Sequence, residues 1–360
     1  KLSPYFRAGA NLVQKFEQLS IQESLDLLNR KEDKRSTDIC LNLLEKCRKK
    51  KDRILAQHVH TLICDNGMEN DIIIGNYIVP ILAECGDVIG AELVLNRLTS
   101  RNVYSWTSVI LGFLKCGNPR YALELYDKMR EDGVYANSHT FVIILKIYGC
   151  LRDLKKGEEA HFDIIKVGYE RDVFVGTALV DMYIKCGSLS YAQEVFDKMS
   201  IHNVVSWNAL AMGYAQHGSL MRVFDCFNQM VLEHISPDDV TFLCGLKVCS
   251  NLRALCDGQR LHEELTKIGF ELDGIVGNTL IDMYAKCSAI DEACHVFDKL
   301  PNRNVISWNA LISGYIEDGS VHEALKYYEK MYTSRCGHII VCSKSISLYK
   351  CYRKNSMDSH

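Results

Sequence analysis

No apolar run in this sequence is long enough to cross a bilayer. The longest, Ile72 to Ala83, is interrupted by Gly75, Asn76 and Pro80 and falls short of the roughly 20 residues that a membrane helix needs, so no membrane partner is expected. Proline is scarce, 5 in 360 residues, which removes the strongest helix breaker. An excess of one charge is also missing: 42 Lys and Arg stand against 45 Asp and Glu, a formal net charge of −3. That balance excludes a uniformly basic nucleic-acid coat and leaves room for a local basic groove. The 16 cysteines include no Cys-x-x-Cys pair, the spacing that zinc ribbons and thioredoxin-type motifs need. Spread over a long chain, they read as free, mostly buried thiols of a reducing compartment. With 48% hydrophobic residues the chain is not disordered, and its long amphipathic runs make helix the expected class.

What the sequence does contain is a repeat. Trp106, Trp207 and Trp308 stand 101 residues apart, in NVYSWTSVILGF, NVVSWNALAMGY and NVISWNALISGY. His60, His161 and His262 keep the same step, and so do Cys85, Cys186 and Cys287. Each cycle divides again. Ala91, Ala122, Ala192, Ala293 and Ala324 share one site, and Gly86, Gly117, Gly187, Gly218 and Gly319 each lie five residues before that site in their own units. Units of 35, 35 and 31 residues satisfy both spacings: 37–71, 72–102, 103–137, 138–172, 173–203, 204–238, 239–273 and 274–304. A ninth starts at Val305 and loses the pattern after Met331. Residues 1–36 form a lead with room for a degenerate repeat, and 332–360 a non-repeat tail.

Within the unit 173–203, GTALVDMYIKC has helical apolar spacing and Gly187 is placed to end that helix. SYAQEVFDKM follows as a second amphipathic helix. Small Ala192 allows close approach to the first helix, and Phe196 and Met199 are expected one and two turns further on the same face. Such a hairpin has too little apolar face to stand alone, so stacked neighbours must complete the core. The expected fold is all-α, a superhelical solenoid of hairpins of the tetratricopeptide type. Pro80 stands where Asp181 and Asp282 stand in equivalent units, and should cost a backbone hydrogen bond or shift its helix start.

Hairpins of these alternating lengths, with VxSWNALIxGY and GNTLIDMYAKC openings, resemble plant pentatricopeptide repeat proteins of the PLS subclass over about Thr37 to Met331. GEEAHFDIIKVG and GQRLHEELTKIG match the long L-type unit, so 37–71, 138–172 and 239–273 are L units. By the same match 72–102, 173–203 and 274–304 are S units, and 103–137, 204–238 and the partial 305–331 are P units. The resemblance implies an organellar protein that binds single-stranded RNA, one base per repeat, with protein and RNA parallel. It also implies site recognition for cytidine-to-uridine editing. Splicing or stability of organellar RNA is the nearest alternative, and a helical scaffold for protein tails a more distant one. Either plant organelle fits, the mitochondrion being slightly favoured over the chloroplast.

In that family the fifth and last residues of a unit read the base. Here they are Asn76 with Asn102, Thr107 with Asn137, Thr177 with Asn203, Asn208 with Asp238 and Asn278 with Asn304. All ten are short polar side chains of the kind a base edge requires. Family usage assigns adenine to Thr with Asn, uracil to Asn with Asp, and a pyrimidine to Asn with Asn. The units from 37 to 304 then spell n-Y-A-n-A-U-n-Y, where n is an L unit, whose fifth residue is Leu41, Val142 or Leu243. The second residues, Ile73, Tyr104, Phe174, Val205, Ile275 and Ile306, are expected to sandwich bases. From the residues alone, Asn, Thr and Asp near helix starts are equally good caps, and both readings stay open. The tryptophans and repeated cysteines read as core packing. The basic run Lys46 to Arg53 is either a phosphate contact or a solvated turn between helices.

Enzyme signals are weak. His262, Glu263 and Glu264 fit half of the zinc-deaminase pattern, which a Pro-Cys-x-x-Cys must complete and none does. No Walker-type loop is present. No cofactor, metal or catalytic residue is therefore expected. Tyr332 to His360 resembles neither the family's C-terminal extension nor its deaminase domain, so a deaminase would act in trans, directly or through an editing cofactor protein. The opening at Lys1 leaves room for an upstream targeting segment. Lys1, Arg7 and Lys15 against Glu17 are a faint echo of a transit peptide.

Overall fold

The computed structural model describes residues 36–68, 71–269 and 274–333, so nearly all of the lead and the tail lie outside the described residues. The described residues form eighteen helices and no strand. They fall into two compact units divided between Gly187 and Ser188. The first unit holds α1 (Ser36–Lys50), α2 (Arg53–Asp65), α3 (Ile72–Glu84), α4 (Val88–Arg97), α5 (Val103–Lys115), α6 (Pro119–Glu131), α7 (Ser138–Leu151), α8 (Leu154–Val167) and α9 (Val173–Lys185). The second holds α10 (Leu189–Lys198), α11 (Val204–Gln216), α12 (Leu220–Leu232), α13 (Asp239–Leu252), α14 (Leu255–Ile268), α15 (Gly274–Lys286), α16 (Ile290–Lys299), α17 (Val305–Glu317) and α18 (Val321–Thr333). None of these helices is long and apolar enough to cross a membrane.

The odd-numbered helices form the inner layer of each unit. In the first, α1, α3, α5, α7 and α9 pack in series; in the second, α11, α13, α15 and α17 do the same. Each even-numbered helix packs on the odd-numbered helix or helices that flank it within its unit. An inner helix is consequently apolar on most of its circumference, and α7 buries Phe141, Ile143, Ile144, Leu145, Ile147 and Tyr148. An outer helix has one apolar stripe, which in α16 is Ala293, Val296 and Phe297. Full burial of a side chain such as Phe297 contributes about 2–3 kcal/mol. Ala91, Ala122, Ala192 and Ala293 have no exposed surface, as close approach at that site requires.

The 101-residue register is carried by the backbone as well. Lys51, Arg152 and Arg253 are left-handed, with φ of 50°, 54° and 54°, as are Gly86, Gly187 and Ser288 at 86°, 81° and 59°. The side chains follow the same step. Trp106, Trp207 and Trp308 are buried. His161 Nδ1 lies 2.9 Å from the Tyr183 hydroxyl, and His262 Nδ1 lies 2.8 Å from that of Tyr284. The thiols of Cys85, Cys186 and Cys287 donate to the carbonyls of Cys47, Tyr148 and Cys249 at 3.7, 3.9 and 3.8 Å. Burial pushes the Cys47 and Cys249 thiols up to about 12, as expected of packing groups rather than reactive ones.

Two local expectations change. Met199 is buried but lies past the end of α10, in extended backbone with φ −66° and ψ 134°. Leu98 and Leu300 take the same conformation after α4 and α16, so this buried residue closes the hairpin instead of extending the helix. Pro80 does not move its helix start, because α3 begins at the first residue of its unit as α5, α7 and α9 do. The missing N–H leaves the Asn76 carbonyl without its helical donor, and the Ser105 hydroxyl lies 3.2 Å from that oxygen.

Candidate nucleic-acid interface

Every described last residue of a unit caps the inner helix that follows. Short side chains with an oxygen three bonds from Cα suit this place, where the first N–H groups of a helix have no internal partner. Asn102 Oδ1 accepts from Ser105 N at 2.8 Å, Asn137 Oδ1 from Thr140 N at 2.9 Å and Asn203 Oδ1 from Ser206 N at 2.9 Å. Asp238 Oδ1 accepts from Thr241 N at 3.0 Å, and Asn304 Oδ1 from Ser307 N at 3.0 Å. In each case a single oxygen does the capping. The other terminal atom, Nδ2 of an asparagine or Oδ2 of Asp238, meets no protein partner among the described residues. Capping therefore leaves a donor at the asparagines and an acceptor at Asp238.

The fifth residues lie one turn further along the inner helices and do not cap. Asn208 Nδ2 donates to Asp238 Oδ1 at 2.8 Å, and Asn208 Oδ1 accepts from Thr241 Oγ1 at 2.6 Å. One N–H and one lone pair of that amide remain. Asn278 Nδ2 approaches Asn304 Oδ1 at 3.4 Å, while its own Oδ1 is buried without a partner. Thr107 Oγ1 and Thr140 Oγ1 are 2.8 Å apart, and Thr177 Oγ1 donates to the Val173 carbonyl at 2.7 Å. Asn76 makes four hydrogen bonds, two through each of its terminal atoms. The structure thus brings four fifth residues beside a last residue or the helix start that it caps, and the five do not offer equal hydrogen-bonding capacity.

Burial alone pushes the Asp238 carboxyl up. Hydrogen bonds from the Asn208 amide and from the Thr241 N–H and hydroxyl outweigh it and hold the group below its ordinary range. It is a carboxylate at neutral pH.

The second residues are exposed despite being apolar. Ile73, Tyr104, Phe174, Val205, Ile275 and Ile306 range from 36% to 71% exposed. They stand in the first turn of α3, α5, α9, α11, α15 and α17, three residues before the fifth position, so each is a helical neighbour of a fifth residue. The basic run at Lys46 to Arg53 is the C-terminal end of α1, the two-residue turn Lys51–Asp52 and the first residue of α2. Arg48 bonds Glu84 through two nitrogens at 2.8 and 3.0 Å, Lys51 is left-handed, and Asp52 caps α2.

The third residues of the units also belong to these junctions. Ser105, Thr140, Ser206, Thr241 and Ser307 are fully buried hydroxyls, and three of them bond directly to the fifth residue of the preceding unit. Their signal was present, since Ser105, Ser206 and Ser307, and likewise Thr140 and Thr241, keep the 101-residue step.

Helical hairpins stacked through their inner helices, with a polar capped junction in each, define an α-solenoid repeat protein. The PPR repeat family model matches residues 101–149 and 202–251, and the PPR repeat model matches 177–204, 278–305 and 306–336. The chain belongs to the pentatricopeptide repeat family. A chloroplastic pentatricopeptide repeat-containing protein of Arabidopsis thaliana, At4g18520, is 33% identical over 290 residues, 81% of this chain and 47% of that protein. A mitochondrial one, At3g24000, is 33% identical over 289 residues, 80% of this chain and 46% of that protein. The chain spans about half the length of these relatives. The crystal structure of the pentatricopeptide repeat protein PPR10 in complex with an 18-nt psaJ RNA element superposes with a TM-score of 0.74. It covers 96% of this chain and 52% of that one at 15% identity, a likeness of fold.

Proposed function

We propose that this chain binds single-stranded RNA sequence-specifically in a plant organelle, and acts in RNA processing as a site-recognition factor for cytidine-to-uridine editing. The bound RNA of PPR10 and the alternation of 35-, 35- and 31-residue units support this reading. The chain acts as an adaptor of the PLS subclass, and the deaminase is recruited in trans. Relatives named for both organelles support an organellar location and lend no weight to the mitochondrion over the chloroplast.

The observation that carries the proposal is the division of labour at each capped junction. One oxygen of Asn102, Asn137, Asn203, Asp238 or Asn304 holds the helix, and the other terminal atom keeps its hydrogen-bonding capacity for a base edge. Ten short polar residues then serve as base readers, and the second residues, Ile73, Tyr104, Phe174, Val205, Ile275 and Ile306, serve as platforms for the flat faces of bases.

The test exchanges one reader. Asp238→Asn keeps the capping oxygen and replaces the outward acceptor with a donor. The helix cap is retained, since asparagine and aspartate cap about equally well, while preference at one base moves from uracil toward cytosine. A direct base-edge contact discriminates by about 1–3 kcal/mol, so the shift should be tenfold or more. Both proteins would be titrated with RNAs differing only at that base, and with a duplex control. An unchanged preference would sink the reading, as would equal affinity for duplex.

A further inference from the structure

We infer that the repeat at 72–102 is silent to base identity, because Pro80 leads the fold to consume every hydrogen-bonding group of Asn76. The inference rests on the base-reading role proposed above, and withdraws one of its reading positions, the pyrimidine expected at Asn76 with Asn102.

A side-chain amide has two N–H donors and two oxygen lone pairs. Asn76 Nδ2 donates to the carbonyls of Ile72 at 3.0 Å and Ser100 at 2.9 Å. Asn76 Oδ1 accepts from Asn102 N at 3.1 Å and Ser105 Oγ at 2.9 Å. All four positions are occupied within the protein, the fourth by the single Ser105 hydroxyl proton, which Oδ1 at 2.9 Å shares with the Asn76 carbonyl oxygen at 3.2 Å. The amide orientation is fixed too, because flipping it would set Nδ2 against a backbone N–H and Oδ1 against two carbonyls.

The same three residue types recur 202 positions later, as Asn278, Asn304 and Ser307, with a different outcome. There Ser307 Oγ donates to the Asn304 carbonyl at 2.7 Å. Asn278 keeps a single long contact, and its Oδ1 has no partner. In the helix between, Asp282 stands at the place of Pro80. An aspartate donates its N–H to the carbonyl of the fifth residue, and a proline cannot. The Asn76 carbonyl therefore draws the Ser105 hydroxyl, which at 3.2 Å from that carbonyl also reaches Oδ1. To read a base, Asn76 must first break a bond it already makes, so little net preference remains.

The experiment measures binding of the whole chain to single-stranded RNAs carrying each of the four bases at each position in turn. The base whose preference moves in Asp238→Asn marks the repeat at 204–238, and the base facing 72–102 lies four nucleotides to its 5′ side. The expected result is less than threefold discrimination at that base and about tenfold at the marker. Tenfold discrimination at both overturns the silent repeat and leaves the proposed function standing. Discrimination at neither removes the proposed function, and this inference with it. The cause is tested by Pro80→Asp, which restores the helical donor, and by Ser105→Ala, which frees a lone pair. At least one should raise pyrimidine preference at that base fivefold or more while the marker stays unchanged. If both fold with the wild-type circular dichroism and neither creates a preference, the role assigned to Pro80 is wrong.

Discussion

Asp238 holds its two carboxylate oxygens in different employment, one on the helix start and the Asn208 amide, the other without a partner among the described residues. Its hydrogen bonds depress the carboxyl below its ordinary value. A depressed acid contributes stability that is present above its unfolded pKa and lost as pH falls through the lower folded value. Uracil preference should accordingly hold constant from pH 8 to pH 5, which titrations at each pH would check; a loss near pH 6 would mean another group is reading. A second residue-scale contrast concerns the tryptophans. Trp207 Nε1 donates to Glu233 Oε2 at 3.1 Å, whereas Trp106 Nε1 is buried without a partner. Asp132 replaces the glutamate there, one methylene shorter, and is engaged by Arg101 at 2.6 Å. An unsatisfied buried donor costs about 1–3 kcal/mol. Asp132→Glu should recover about 1 kcal/mol in urea denaturation, and a loss of stability would contradict this account.

At the scale of the element, the inner helices end on a left-handed residue that is glycine at five of the six S- and P-unit positions from Gly86 to Gly319. The exception is Ser288, at φ 59°. A side chain there is strained, and glycine relieves it at some cost in unfolded-state entropy. Ser288→Gly should therefore stabilise the protein by about 0.5–1 kcal/mol, and no gain in denaturant midpoint would show that the strain is absorbed elsewhere. This position also shows what was legible in the sequence. Glycines five residues before a buried alanine announce where a helix stops, and three residue types at one period announce the hairpin stack. The capping role of Asn102, Asn137 and Asp238 was visible as one of two open readings, because short polar residues at a helix start serve either purpose. What was not legible was how many hydrogen bonds each proposed reader spends. Asn76 and Asn278 are the same residue at the same unit position, and their difference arises from a proline four residues on and a hydroxyl in the next unit. A one-dimensional pattern does not display such a coupling.

For the whole molecule, a net charge of −3 must be reconciled with the proposed polyanionic ligand, and the inner helices supply the means. Residues five, nine and thirteen of an inner helix share one stripe. At the ninth or thirteenth place stand Lys115, Lys146, Lys185, Lys247 and Lys286. Lys185 pairs with Asp181 at 2.7 Å and Lys286 with Asp282 at 2.9 Å. Lys115, Lys146 and Lys247 form no ion pair among the described residues, and are positioned to meet phosphates without losing a partner. Exposed ion pairs contribute less than about 1 kcal/mol, so Lys185 and Lys286 can exchange carboxylate for phosphate at small cost. Each phosphate neutralised on a single strand steepens the log–log salt dependence by about 0.7. Three to five lysines therefore give a slope between about −2 and −3.5, measured by fluorescence anisotropy from 50 to 300 mM salt. Lys247→Ala should flatten the slope by about 0.7 and weaken all RNAs alike, leaving the uracil preference at the Asn208–Asp238 position untouched. A variant that lost base preference along with salt dependence would place that lysine on a base edge, and affinity independent of salt would remove phosphate contact from the account altogether.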